Sequence, residues 1–158
     1  MHHSSMNHNE GNKHYTLLLI MVLLSFAAMY VFMYAMVDVL ANALPNLNQF
    51  YMAGLMTMPM VIIELSIMSF MYQKKKWNVA IVIASVIILV LFWIGIRQQI
   101  AISDKEFLQS MIPHHASAIL MCEKAALRDA RIIELCRNIV SSQQQEIDQM
   151  KQFLLEMN

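Results

Sequence analysis

Phe107-Leu108-Gln109-Ser110-Met111-Ile112-Pro113-His114-His115-Ala116-Ser117-Ala118-Ile119-Leu120-Met121-Cys122 is the stretch on which the reading of this chain turns. It gathers imidazole, thioether and thiol groups, all ligands for a soft metal ion. Read as a helix, it stacks residues three and four apart. Met111, His114, His115, Ala118 and Cys122 then share one face, with Ile112, Ala116 and Leu120 away from it. Ser103-Asp104-Lys105-Glu106 has the Ser-x-x-Glu form of a capping box, so a helix is expected from about Asp104 to Ala126. Pro113 inside it predicts a kink, because proline takes the donor from the Gln109 carbonyl.

A second helix is expected from about Arg131 to Glu156, after a short connection at Leu127-Arg128-Asp129-Ala130. Ile132, Leu135, Cys136, Ile139, Gln143, Glu146, Met150, Phe153 and Met157 are expected to share one of its faces. So short a connection makes the two helices antiparallel. Folding about Asp129 pairs residues whose numbers add to 258. Cys122 then lies level with Cys136, His115 with Gln143, and Met111 between Glu146 and Met150. The candidate metal ligands are therefore Met111, His114, His115, Glu146 and Met150. Cys122 and Cys136 are a second pair, read equally as a disulfide, a second metal site or free thiols. One carboxylate is too few for an all-oxygen Mg or Ca site, whereas sulfur with imidazole suits Cu(I) or Ag(I).

The rest of the chain is a membrane protein by composition. Of 158 residues, 58% are hydrophobic and 14% charged, too apolar for a soluble domain of this length. The formal net charge of zero gives no reason to expect nucleic acid as a partner. Residues 1–14 form a polar tail expected to be disordered. Its His2, His3 and His8 are a candidate Cu(II) or Ni(II) site, read against the remnant of an added tag. Residues 15–98 hold three apolar runs: Tyr15 to Ala41, Gln49 to Tyr72 and Trp77 to Ile96. Each is long enough to cross a bilayer. Lys74-Lys75-Lys76 joins the last two, and short basic loops stay on the cytoplasmic side. The amino terminus is then cytoplasmic and residues 99–158 extracytoplasmic, in a bacterial inner membrane.

Methionine supplies 16 residues, ten of them between Met21 and Met71 and none in the third span. On the second span Met60, Glu64 and Met68 lie on one side of the helix and Met56 on another. A carboxylate within hydrocarbon is costly and functional by default, so these four are a candidate intramembrane path. The competing reading is methionine as a filler of packing gaps, with Glu64 hydrogen-bonded to a neighbour.

Phe107-x-x-x-Met111-Ile112-Pro113-His114-His115-x-x-Ala118-Ile119-x-Met121, followed by Ile139-x-x-x-Gln143-x-x-Glu146-Ile147-x-x-Met150, resembles the Domain of Unknown Function 305 family over residues 103–155. The whole chain resembles a subgroup with three membrane spans before the domain. The resemblance implies a ferritin-like four-helix arrangement and copper binding of the CopM-like kind. It implies Cu(I) or Ag(I) ligation by Met111, His114, His115, Met121 and Met150; it does not imply a catalytic activity. This chain has one helical hairpin where longer members carry two.

The expected architecture is therefore all-α: three transmembrane helices, then an antiparallel hairpin that is half of a four-helix bundle, completed by a homodimer or higher oligomer. The expected function is extracytoplasmic capture of Cu(I) or Ag(I) for copper homeostasis or resistance, with other copper-handling proteins as partners. The alternative is a structural membrane module whose His/Met face is a polar core layer. No nucleophile–base pair, nucleotide loop or di-iron motif points to an enzyme.

Overall fold

The computed structural model describes residues 8–157, with side chains from Lys13 onward. The described residues form five α-helices and no strand: α1 (His8–Phe32), α2 (Leu47–Ile67), α3 (Lys75–Gln98), α4 (Asp104–Lys124) and α5 (Ala130–Glu156). Three segments, Lys13–Met36, Leu47–Ile67 and Lys75–Gln98, are long and apolar enough to span a membrane. The described residues divide into two units. One holds residues 8–30 together with Tyr51–Gln98, and the other holds Val31–Phe50 with residues 99–157.

In the first unit most large apolar side chains face outward, among them Leu23, Leu24, Ile87 and Leu91. A soluble protein would bury such a surface, whereas lipid is its natural solvent. The internal contacts are few. Leu18, Val61, Leu65 and Tyr72 form a buried cluster, with Met21, Met68 and Met71 packed against it. Gly54 on α2 lies under the Phe92 ring of α3, where a side chain would collide with it. Gly54→Leu should therefore lower stability in detergent by about 1–3 kcal/mol through overpacking. The conservative change Ile63→Leu, at an exposed site, should leave the thermal midpoint in place, and equal midpoints for both variants would remove this contact from the account.

Two expectations change in the first span. The helix begins at His8, inside the segment expected to be disordered. Propagating a helix that the apolar run has already nucleated costs little. It ends at Phe32, followed by 3-10 turns at Met33–Met36 and Leu40–Asn42, so the span does not reach Ala41. Val37 and Val39 are extended. Asp38 accepts bonds from the Val39 amide and the Asn42 side chain, satisfying the backbone of a turn instead of a helix.

The second unit is built on the α4–α5 hairpin. Ser103 caps α4, accepting from the Glu106 amide at 3.3 Å. The Glu106 side chain is not engaged as a capping box would have it. Its carboxylate accepts the Leu47 amide at 2.8 Å, a charged cap on the first turn of α2, where Asn46 also accepts from Gln49. Asp129 caps α5 through the Arg131 amide and is gripped by the Arg131 guanidinium. That pairing holds the Asp129 carboxyl below its ordinary range. Its contribution is present above the usual aspartate pKa and lost as pH falls through the lowered one.

The hairpin core is Leu108, Ile112, Ala116 and Ile119 from α4 with Ile147 and Met150 from α5. Met111, Val140 and Leu154 pack on it, as do Val37 and Leu44 of the preceding loop. On α5 the inward residues Ile133, Cys136, Val140, Gln143, Ile147, Met150 and Leu154 alternate by three and four, the seam of a packed helix pair. This corrects both expected faces. On α4, Ile112 and Ala116 are at the centre of the core, fully buried, and His114 is outside. On α5, Ile132, Leu135, Phe153 and Met157 are exposed, and only Cys136, Gln143 and Met150 of the expected face lie on the seam. Burying aliphatic area stabilises by about 25 cal/mol per Å². The aliphatic stripes therefore take the interface, and an imidazole without a partner stays in water.

Cys122 and Cys136 form a disulfide near the connection. This settles the second pair as a bridge. Replacing both cysteines by serine should destabilise the hairpin by about 2–4 kcal/mol, read as a lower urea midpoint that reductant no longer shifts. A midpoint equal to that of the wild-type protein would mean that helix packing alone holds the connection.

Candidate metal centre

Of the expected ligands, Met150 and partly Met111 go into the hairpin core, and so does one nitrogen ligand, His115. It sits at the edge of the α4 core stripe, 6% exposed. Its Nδ1 lies 2.9 Å from the Met111 carbonyl, one turn back on the same helix. Its Nε2 lies 2.6 Å from Glu146 Oε2 on α5. The carbonyl can only accept, so Nδ1 donates to it, and Nε2 is the nitrogen that faces the Glu146 carboxyl group. The carbonyl fixes the ring, as outer partners of a metal-bound histidine do. The nitrogen left to a cation is Nε2.

The other expected ligands divide. The Met111 side chain and Met150 belong to the core cluster that packs beside His115. Glu146 is half-exposed and reaches back to His115 from the rim of α5. Its expected partner by register was Met111, and the expected partner of His115 was Gln143, so the true pairing is about one turn further along α5. His114 is exposed, with its ring centroid 6.0 Å from that of His115. Met121 is exposed as well, nearly two turns beyond His115. The structure thus brings Met111, His115, Glu146 and Met150 to one part of the hairpin and leaves His114 and Met121 on its outside. Among the described residues no group of three His, Cys, Asp or Glu side chains stands ready for a metal.

Gln143 was not among the expected ligands, although its spacing to Glu146 was visible. Its Oε1 is buried and has no hydrogen-bond partner. An orphaned buried acceptor costs about 1–3 kcal/mol. It lies on the seam one turn before Glu146. Within about one turn of the pair along each helix stand two methionines, Met111 and Met150, and the unused amide oxygen of Gln143. That set suits a soft or borderline cation better than a hard one.

The residues of the expected path face different ways on the second span. Met56 and Met60 face outward, while Thr57 and Met58 are buried. Glu64 accepts a hydrogen bond from the Tyr72 hydroxyl at 3.2 Å. Tyr72 in turn is pushed above the ordinary tyrosine range, by burial first and by Glu64 second. Met68 packs on the Tyr72 cluster as a filler would. His2 and His3 of the tail lie outside the described residues, as does the side chain of His8.

These features define a class: an all-helical chain with three membrane-length helices, continued by a disulfide-closed hairpin that carries a His–Glu pair across its seam. The chain belongs to the family described as Domain of unknown function (DUF305), whose model matches residues 96–154. It is also 36% identical over 145 residues to an uncharacterized protein of Acanthamoeba polyphaga mimivirus, covering 88% of this chain and 91% of that one. No solved structure matches the chain.

Proposed function

We propose that the chain is a membrane-anchored metal-binding protein that takes Cu(I) or Ag(I) at the hairpin, on the extracytoplasmic side, in copper homeostasis or resistance. The observation that carries this reading is His115, fixed through Nδ1 and turned through Nε2 toward Glu146, beside the thioether residues Met111 and Met150. Imidazole with thioether sulfur is a Cu(I) donor set. A cation held by Nε2 would take the place of the contact with Glu146, whose side chain is exposed enough to swing into water. Two features support the side of the membrane. Lys74-Lys75-Lys76 favours a cytoplasmic loop, and the Cys122–Cys136 bridge fits an oxidising compartment. The bacterial cytoplasmic membrane is proposed from the resemblance alone.

The test is a Cu(I) competition titration of the full chain against a chromophoric chelator, beside a chain lacking residues 1–12. Equal tight binding by both supports the hairpin site. Binding lost with the tail moves the site to His2, His3 and His8, and no binding by either ends the copper reading. A second reading has its own observation. The His115–Glu146 pair is complete without any metal, as a polar layer specifying an assembly would be. That reading predicts a tolerated His115→Gln change and no metal affinity.

A further inference from the structure

We propose that the membrane unit holds one anionic phospholipid, with an acyl chain in the groove between α2 and α3 and its headgroup phosphate on Lys75 and Lys76. The site is independent of the copper reading and of the hairpin.

The groove has a volume of about 210 Å³ and is lined by Leu65 and Ser66 of α2 and by Asn78, Val79, Val82 and Ile83 of α3. Gly54 against Phe92 and Gly95 against Tyr51 set the register of the two helices and bring these stretches level. Small or retracted side chains keep the groove open. Ser66 turns its hydroxyl back to the Ile62 carbonyl of its own helix, at 2.7 Å. Val79 and Ile83 form the outer wall one turn apart, each more than half exposed. In a bilayer that opening faces hydrocarbon, so the solvent of the helices is itself the occupant at hand. The polar end of the groove is already satisfied. Asn78 donates to the Tyr72 carbonyl at 2.7 Å and accepts from the Tyr15 hydroxyl at 2.6 Å. Aliphatic walls ending in a committed amide fit an acyl chain and offer little to a polar ligand.

Charge selects the kind of lipid. On α3, Lys75 precedes Asn78, Val79 and Val82 by three, four and seven residues, so it stands on the face that lines the groove. Lys76 is beside it, seven residues before Ile83. Both lysines are exposed, and among the described residues neither has a carboxylate partner. Glu64 is the one acidic side chain described in this unit, and it accepts from the Tyr72 hydroxyl. The lysine charges do not serve α3 either, because the amino end of a helix favours anions. Trp77 between them and the groove is 63% exposed, a residue type that settles at headgroup level. From Lys75 to Ile83 the helix rises about 12 Å, within the roughly 15 Å depth of one leaflet's hydrocarbon. A lipid whose phosphate meets the two ammonium groups therefore lays its chain along the groove inside its own leaflet.

The experiment is native mass spectrometry of the full chain in mild detergent, titrated with phosphatidylglycerol or with phosphatidylcholine of the same acyl chains. The wild type should retain one phosphatidylglycerol per chain and much less phosphatidylcholine. Lys75→Gln and Lys76→Gln should each weaken phosphatidylglycerol retention about fivefold and leave phosphatidylcholine unchanged. Val79→Phe fills the groove and alters no charge, so it should abolish retention. Ile83→Phe fills it from the next turn and should do the same. Leu91→Phe, on an exposed side chain about two turns beyond Ile83, should retain lipid like the wild type. Circular dichroism should show equal helix content in all five, since each change is at an exposed position. Equal retention of the two lipids overturns the proposal. Retention lost in the lysine variants but kept in both groove variants overturns it too, leaving only a charged surface. Competition by glycerol 1-phosphate, a headgroup without chains, would replace the lipid by a free phosphate. Loss of a second chain instead of lipid in Val79→Phe would make the groove a protein contact and overturn the lipid site.

Discussion

Replacing His115 by alanine should weaken Cu(I) binding on the order of a hundredfold, or about 2.7 kcal/mol. The variant removes the one nitrogen donor that the hairpin both buries and orients. It should remain folded, because the carboxylate left behind on Glu146 is half in water and suffers little from losing its partner. His115→Gln separates the two readings further. Glutamine restores a donor toward Glu146 but supplies no imidazole. If the pair is a polar layer, Gln rescues everything measurable. If it is a metal site, Gln keeps the fold and fails to bind. The measurement is the competition titration, with far-ultraviolet circular dichroism of each variant as the check on folding.

The largest stability effect is expected at Ile112. It is fully buried where α4 meets α5, so Ile112→Ala should cost about 2–5 kcal/mol. Leu155→Ala, on an exposed side chain of α5, should stay within about 0.5 kcal/mol. Urea unfolding of the hairpin signal would show the difference as a shifted midpoint. Equal midpoints would mean that the aliphatic stripe centred on Ile112 is not the interface.

Ile112 also marks where the sequence stopped being decisive. Apolar runs announced the three membrane-length helices, because bilayer thickness imposes a length that few other constraints do. The hairpin followed from Ser103, Asp129 and the brevity of the connection, all local signals. The Cys122–Cys136 level was legible because a short connection leaves one register. Which face turned inward was not. Both helices carry two apolar arcs about a quarter-turn apart, and periodicity alone cannot say which arc meets the neighbour. The sulfur and imidazole groups drew the reading to the wrong arc on α4, where aliphatic burial decides. His115 borders both arcs and so reaches the seam, whereas His114, 100° further round the helix, stays outside. Glu106 shows the other kind of loss. Its capping-box spacing is a local pattern, but its carboxylate goes to Leu47, 59 residues away, and no local rule carries that. Gln143 was visible in the spacing to Glu146, but only its orphaned buried oxygen gives it a chemical role to test.

The measurement that bears most directly on the central claim is copper X-ray absorption on the Cu(I)-loaded chain lacking residues 1–12. With the tail gone, the hairpin account predicts imidazole nitrogen and thioether sulfur in one coordination shell, and the loss of that spectrum in His115→Ala. A shell of nitrogen and oxygen alone, or a spectrum unchanged by His115→Ala, would contradict it.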